Sequence, residues 1–176
     1  MPDSPLPVID LAPSFGHDPQ ALHAIAARID AACRRDGFFH VTGHGVPLAL
    51  SHHLFMLSRR LFALPEEVKR RWHVELSGGL CRGYDPVGWQ ALESGRPADL
   101  KESFYCGMAY PDDHPYVVAG HQTYGHHQWP AEVPEAPAVC EAYVQTMLAL
   151  SRKLMQLLAL SLRLPEGFFD ATSGSP

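Results

Sequence analysis

Two long segments rich in glycine and proline, residues 77–97 and 111–137, constrain the fold of this chain more than any other feature. Neither segment carries the hydrophobic spacing of a helix, so both are expected to be long loops or sets of bends. A structureless stretch of this length inside a compact domain usually has a function or packs beneath other elements. The apolar core must therefore come from the stretches that surround the two segments.

Three of those stretches carry apolar residues at helical spacing. They predict helices over residues 19–35, 47–62 and 138–163. Asp18 is a candidate N-cap because its side chain can accept from the first helical turn and a proline follows it. A shorter helix is expected to restart after Pro65, where two glutamates favour the positive end of the helix dipole.

Short apolar runs between turn residues predict three strands. These runs cover residues 8–11, 38–41 and 103–106. The chain shows no internal repeat and no low-complexity block. We therefore expect one domain, or part of one.

The charge balance excludes the strongly basic class of nucleic-acid-binding proteins. Lysine and arginine total 14 against 19 aspartates and glutamates, which gives a net charge of −5, whereas neutralising phosphates needs clustered cations. The longest uncharged run near the C-terminus, residues 154–162, is far shorter than the about 20 apolar residues of a membrane span. We expect neither a nucleic acid nor a membrane as a partner.

The cysteines and the N-terminal residues predict a cytoplasmic location. The four cysteines, at positions 33, 81, 106 and 140, are scattered and form no Cys-x-x-Cys pair. The first residues lack the charged-then-apolar order of a secretion signal. The thiols are therefore expected to be reduced.

None of the histidines is expected to bind a metal. The closely spaced pairs fall on a strand and turn or at diverging positions: His40 with His44, His52 with His53, and His126 with His127. The triplet His73-Val74-Glu75 has the His-x-acid form used by non-haem iron proteins. However, it lies between a helix end and a glycine-rich loop, which favours a chance match.

The triplet Arg82-Gly83-Tyr84 is a more specific signal for ligand binding. An arginine followed by a glycine and a tyrosine can clamp a carboxylate, because the guanidinium donates two parallel hydrogen bonds. The alternative is a structural ion pair between Arg82 and Glu102 or Asp99, and spacing alone favours this alternative. The neighbouring Cys81 is interpreted as a structural cysteine rather than an activated thiol.

A series of short motifs resembles one enzyme family. The chain is similar to the N-terminal region of isopenicillin N synthase-like oxygenases, which are non-haem iron enzymes that mostly depend on 2-oxoglutarate. The motifs occur in the order and spacing of that family: Pro7–Leu11, Arg35–Val41, His44–Pro47, Phe62–Lys69, Arg82–Gly88, Asp99–Phe104, Gln128–Pro130 and Leu164–Phe169.

The resemblance implies an incomplete α+β fold. It covers residues 1–170 as the N-terminal helical and strand region of a double-stranded β-helix, or jelly-roll, oxygenase, and leaves residues 171–176 as a divergent or truncated tail. Only the first half of a family member is matched. The C-terminal catalytic half would be missing from this chain.

The resemblance also implies Fe(II) and 2-oxoglutarate as cofactors of the complete enzyme, which would oxidise a small molecule. Family members hold iron with His-x-Asp and a distal histidine, and hold the cosubstrate with Arg-x-Ser. This sequence contains neither His-x-Asp nor Arg-x-Ser. We therefore expect no catalytic or metal-binding residue in this chain, no tight cofactor binding, and no activity of the isolated chain.

By the same resemblance, Arg82 and Tyr84 are expected to line the substrate pocket, with Lys101, Glu102 and Phe104 as supports on the adjoining strand. The alternative is a non-catalytic chain that binds a partner carrying the missing half. The broad apolar stripe of the helix over residues 138–163 would then face that partner, since such surfaces rarely stay exposed.

Overall fold

The structure is a computed structural model that describes residues 6–16, 18–91, 93 and 95–173. The chain divides into two compact units. The first combines Met1–Pro47 with Thr146–Pro176, and the second is Leu48–Gln145. Among the described helices, none combines the length and the apolar character that crossing a membrane requires.

The first unit contains a two-stranded parallel sheet and a long amphipathic helix. Strand β1 (Val8–Asp10) pairs with β2 (His40–Thr42). Between them lie a short 3-10 helix and α1 (Pro19–Arg35), which occupies the expected range. The Asp18 carboxylate caps α1 by accepting the backbone N–H of Gln20 at 2.9 Å, as expected of an N-cap.

The core of the first unit forms between the sheet, α1 and the second part of α5 (Ala136–Ser161). The expected helical spacing is confirmed, because the buried residues of α1 lie on one face. The buried cluster consists of Ile9, Leu11, Ile25, Ile29, Ala32, Leu150 and Leu157. The unit ends with α6 (Asp170–Ser173); residues 174–176 of the expected tail lie outside the described residues.

The second unit begins with two helices. Helix α2 covers Leu48–Phe62, one residue inside its expected start, and α3 covers Glu66–Lys69 after Pro65. Two 3-10 turns continue the chain to Ser77. The core of this unit contains Leu57 and Leu61 from α2, Val133, and residues of the first part of α5.

The segment 77–97 is not all loop, which corrects the sequence expectation. It contains β3 (Gly83–Asp85), which pairs antiparallel with β4 (Ser103–Tyr105). The strand was missed because it is only three residues long and starts with glycine, and because its pairing partner lies across a long loop. All three of its residues are buried.

The segment 111–137 also differs from the expectation, since it contains α4 (Pro115–Val118), and α5 begins at Ala136. Its aromatic rings pack on one another. The ring centroids of Tyr116 and Tyr124 are 4.8 Å apart, and Tyr124 also lies 4.7 Å from Tyr110, the residue just before the segment. These ring contacts hold the segment to the chain that precedes it.

Gly83 is required at its position for two reasons. Its φ is +115°, and a Cβ there would lie 2.2 Å from the backbone oxygen of Trp72. We expect Gly83→Ala to lower the free energy of unfolding by about 3 kcal/mol or more, because backbone strain and a clash add. Gly88 has a φ of +80° with open space around it, so Gly88→Ala should cost only about 1 kcal/mol. Urea denaturation would measure both, and equal losses would contradict this account.

Candidate functional site

The candidate site is built on the β3–β4 hairpin of the second unit. The register places Tyr84 opposite Phe104 and Gly83 opposite Tyr105. Of the five residues that the sequence singled out, four are buried or half-buried on or beside these strands, namely Arg82, Tyr84, Glu102 and Phe104. Lys101 is exposed instead, with its ammonium 3.7 Å from the Asp99 carboxylate.

A buried polar cluster fixes this hairpin to α3. The Tyr84 hydroxyl donates to Glu102 Oε2 at 2.6 Å, and Lys69 Nζ donates to the same oxygen at 2.6 Å. Lys69 also donates to the Phe62 carbonyl at 3.1 Å and lies 5.1 Å from the centre of the Tyr84 ring. Only 8% of Lys69 and 1% of Tyr84 are exposed.

Sequence analysis did not find Lys69. It follows two glutamates and precedes two arginines, so it has the pattern of an exposed charged helix. The sequence signal that could have pointed to Lys69 is its position as the last residue of the family motif Phe62–Lys69. Burial of a lysine requires a paired partner, and that partner, Glu102, was among the expected site residues.

The contacts in this cluster shift the pKa values of Tyr84 and Glu102 in opposite directions. Burial and the hydrogen bond to Glu102 raise the pKa of Tyr84 well above its usual range. Burial alone would raise the pKa of Glu102, but the hydrogen bonds from Lys69 and Tyr84 outweigh it and lower that pKa. Tyr84 is thus a neutral donor and Glu102 a carboxylate at neutral pH.

Arg82 has a different role from the ion pair that spacing favoured. Its Nη2 donates to the Thr123 carbonyl at 2.6 Å, while Glu102 pairs with Lys69 and Asp99 with Lys101. The ion-pair interpretation was therefore wrong. Arg82 is 9% exposed, and its buried Nε has no hydrogen-bond partner among the described residues.

His127 lies close to the same guanidinium. Its Nε2 is 2.8 Å from the Gly107 carbonyl, and a Cβ on Gly107 would lie 2.9 Å from Arg82 Nη2. Burial and the Arg82 charge lower the pKa of His127 despite the Gly107 hydrogen bond. The ring is therefore neutral and donates from Nε2, which leaves Nδ1 as a buried acceptor without a partner among the described residues.

The second unit also holds an apolar cavity of about 190 Å³, and neither Arg82 nor His127 lines it. Phe104 and Trp129 form part of its wall, with ring centroids 5.7 Å apart. Cys106 also lines it, and the pKa of that thiol is lowered by a hydrogen bond from Cys140 and, to a smaller extent, by the Arg82 charge. An apolar cavity near a guanidinium that keeps one N–H without a partner among the described residues is suited to a small molecule with an apolar body and a polar or anionic end.

The described residues do not fit an iron ion. No group of three histidine, cysteine, aspartate or glutamate side chains among them could hold a metal. In the pair with the His-x-acid form, the His73 ring instead caps a 3-10 turn by accepting the backbone N–H of Glu75. His73 Nδ1 accepts the Glu75 N–H at 3.3 Å and lies 3.8 Å from its carboxylate.

Comparison with known proteins shows which family these features belong to. Residues 6–132 match the family model described as "non-haem dioxygenase in morphine synthesis N-terminal". The chain belongs to this family. Since the match covers most of the chain, the resemblance drawn from its short motifs is confirmed.

Curated relatives support the same assignment to this dioxygenase family. A 2-oxoglutarate-Fe(II) type oxidoreductase of Emericella nidulans is 36% identical over 167 residues, which cover 93% of this chain and 48% of the relative. An isopenicillin N synthase of Streptomyces clavuligerus is 34% identical over 180 residues, covering 97% and 51%. The chain thus spans about half the length of the curated relatives it matches.

A solved structure confirms the fold. A 2OG-Fe(II) oxygenase family protein of Caulobacter crescentus superposes with a TM-score of 0.77 at 23% sequence identity, covering 95% of this chain and 52% of the other. The helices and short strands of this chain therefore correspond to half of an oxygenase fold of the family. The expected α+β class is confirmed.

The lowered pKa of Glu102 predicts an acid-dependent loss of stability. A carboxylate whose folded pKa lies below its ordinary value of 4.5 stabilises the fold above that value and loses the effect as the pH falls through the folded pKa. We expect Glu102→Gln to lower the free energy of unfolding at pH 7 by about 2 kcal/mol, because Lys69 loses its partner. The difference from wild type should shrink below about pH 4.5.

Urea denaturation at several pH values would measure this difference. Glu93→Gln is a matched control, since the exposed Glu93 pairs with Arg96 at the surface and such pairs contribute about 0–1 kcal/mol. A Glu102→Gln deficit that persists unchanged at pH 3 would contradict the proposed coupling to carboxylate ionisation.

Proposed function

We propose that this chain is the N-terminal part of an Fe(II)- and 2-oxoglutarate-dependent oxygenase that oxidises a small molecule. Membership of the dioxygenase family and the names of the relatives support this proposal. In the complete enzyme, Fe(II) and 2-oxoglutarate would supply the activation of dioxygen. The family region would extend over residues 1–170, and residues 171–176 would form a divergent tail, in a reducing cytoplasmic setting.

The substrate contact of this chain would be Arg82. One observation carries this assignment: Arg82 is buried, is held in place by the Thr123 carbonyl, and keeps a buried Nε without a partner among the described residues. An unpartnered buried donor is costly, and a carboxylate or other acceptor on the substrate would relieve that cost. Phe104 would form the apolar wall beside this contact.

The other expected residues would position Arg82. Tyr84 is buried and its hydroxyl is bonded to Glu102, so these two residues would hold the hairpin rather than contact the substrate directly. The backbone carbonyl of Arg82 accepts from Gln128 Nε2 at 3.0 Å, which fixes the residue from the other side. Lys101 would support the strand from its exposed position beside Asp99.

Benzoate is a suitable probe for the Arg82 site, because it combines an apolar ring with a carboxylate. We expect this chain to bind benzoate more tightly than benzyl alcohol. A hydrogen bond from a charged donor contributes about 1.5–3 kcal/mol, so Arg82→Gln should raise the Kd for benzoate roughly tenfold or more. Titration followed by nuclear magnetic resonance would measure both constants.

Arg96→Gln is the matched control for Arg82→Gln, because Arg96 is exposed and pairs with Glu93 at the surface. This control should bind benzoate as the wild type does. Equal affinity of the wild type and a folded Arg82→Gln variant would contradict the assignment of Arg82.

We also propose that the isolated chain is catalytically inactive. A facial set of two histidines and one carboxylate holds the iron of such enzymes, and neither the sequence motifs nor the described side chains supply it. In the presence of Fe(II) and 2-oxoglutarate, the pure 176-residue chain should consume no more dioxygen than a buffer that contains the same Fe(II) and 2-oxoglutarate. A full-length family member is the positive control, and 2-oxoglutarate-dependent uptake by this chain would contradict the proposal.

A second candidate function is a non-catalytic chain that binds a polypeptide carrying the other half. Large apolar side chains on the surface of the second unit favour it, since a partner would cover them. The most exposed of these are Leu48, Leu76, Leu100 and Val118. A compact monomer by size-exclusion chromatography with light scattering would argue against this candidate.

A further inference from the structure

Two of the four cysteines lie together in the second unit, although they are far apart in the sequence. Cys106 directly follows β4, and Cys140 lies in the first part of α5. Both line the apolar cavity of about 190 Å³, and Cys106 packs against the buried apolar cluster that contains Cys140. Cys140 is buried and Cys106 is half-buried, so only one of the two is open to a reagent in solution.

The surroundings of the pair shift the pKa values of the two thiols in opposite directions. The hydrogen bond from Cys140 and the charge of Arg82 outweigh burial and lower the pKa of Cys106 to about 7. The same hydrogen bond and burial raise the pKa of Cys140 above its usual range. Near neutral pH, a large fraction of Cys106 is therefore thiolate, while Cys140 keeps its proton. A partly accessible thiolate next to a second thiol is the arrangement found at peroxide-sensitive cysteines.

We propose that Cys106 and Cys140 form an oxidisable dithiol, in which Cys106 reacts with a hydroperoxide and Cys140 then closes a disulfide with it. This chemistry does not require iron, and Arg82, the proposed substrate contact, influences it only through its charge. It would link the end of β4 to α5 in the wall of the apolar cavity.

Each step of the reaction is balanced. The Cys106 thiolate attacks one peroxide oxygen, the O–O bond breaks, and the other oxygen leaves as hydroxide or alkoxide and takes up a proton. Cys106 is then a sulfenic acid. The Cys140 sulfur attacks the Cys106 sulfur, and the hydroxyl group leaves with the Cys140 proton as water. The two thiols lose two electrons, which reduce the peroxide.

The other two cysteines provide internal controls. Cys33 and Cys81 are both free and exposed, so they are accessible to peroxide at least as readily as Cys106. Exposure alone would oxidise these residues first. The proposal requires the opposite order, with the half-buried Cys106 reacting fastest and ending in an intramolecular disulfide.

Peptide mapping tests the proposal with the full chain. Trypsin releases residues 102–152 as one peptide in which Cys106 and Cys140 are the only cysteines, and a protease specific for glutamate then cuts between them at Glu132 and Glu135. After treatment with one equivalent of hydrogen peroxide, the fragment that carries Cys106 and the fragment that carries Cys140 should remain joined until a reductant is added. The joined species should weigh two hydrogens less than the sum of the two fragments. Cys33 and Cys81 should stay reduced.

Two variants separate the roles of the two sulfurs. Cys140→Ala should stop the reaction at the Cys106 sulfenic acid, which dimedone labels, and should move the pH of half-maximal alkylation of Cys106 from near 7 toward the about 8.5 of an ordinary thiol. The double variant Cys33→Ser/Cys81→Ser should form the disulfide as the wild type does. Oxidation of Cys33 or Cys81 before Cys106 would overturn the proposal. So would separation of the two wild-type peptide fragments without reductant.

Discussion

Lys69 is a buried cation whose carboxylate partner, Glu102, lies 33 residues further along the chain. A buried lysine without a partner would be strongly destabilising, so α3 and the start of β4 have to stay together. The hydroxyl of Tyr84, which lies on β3, donates a hydrogen bond to the same carboxylate oxygen. Three segments are thereby held at one point, and the hairpin that carries Arg82 is fixed in place by this contact.

The position of Arg82 follows from that anchor. One residue separates it from Tyr84, so the strand that holds Tyr84 also determines where the Arg82 side chain begins. Its guanidinium is bonded to the Thr123 carbonyl, and its backbone oxygen to Gln128. Both partners belong to the long proline- and histidine-rich segment. That segment is thus ordered by contacts with the site, which explains how so long a stretch with little regular structure can pack.

The second unit places the Lys69–Glu102–Tyr84 cluster and an apolar cavity around the β3–β4 strands. The chain spans about half the length of the relatives it matches. Cys106 and Cys140 line the cavity of this unit, and the oxidation proposed for them would not require a metal.

The sequence by itself determined α1, α2, the N-cap at Asp18 and the family motifs, because these depend on neighbours within a few residues. It also singled out Arg82 and Glu102 as candidate site residues, but favoured the wrong partner for Arg82. Only the tertiary structure decided that Arg82 bonds Thr123, 41 residues away, and that Lys69 is buried. The same holds for strand β3 and for the meeting of Cys106 with Cys140. These features arise where distant segments pack together, and the burial that creates them leaves no local pattern in the sequence.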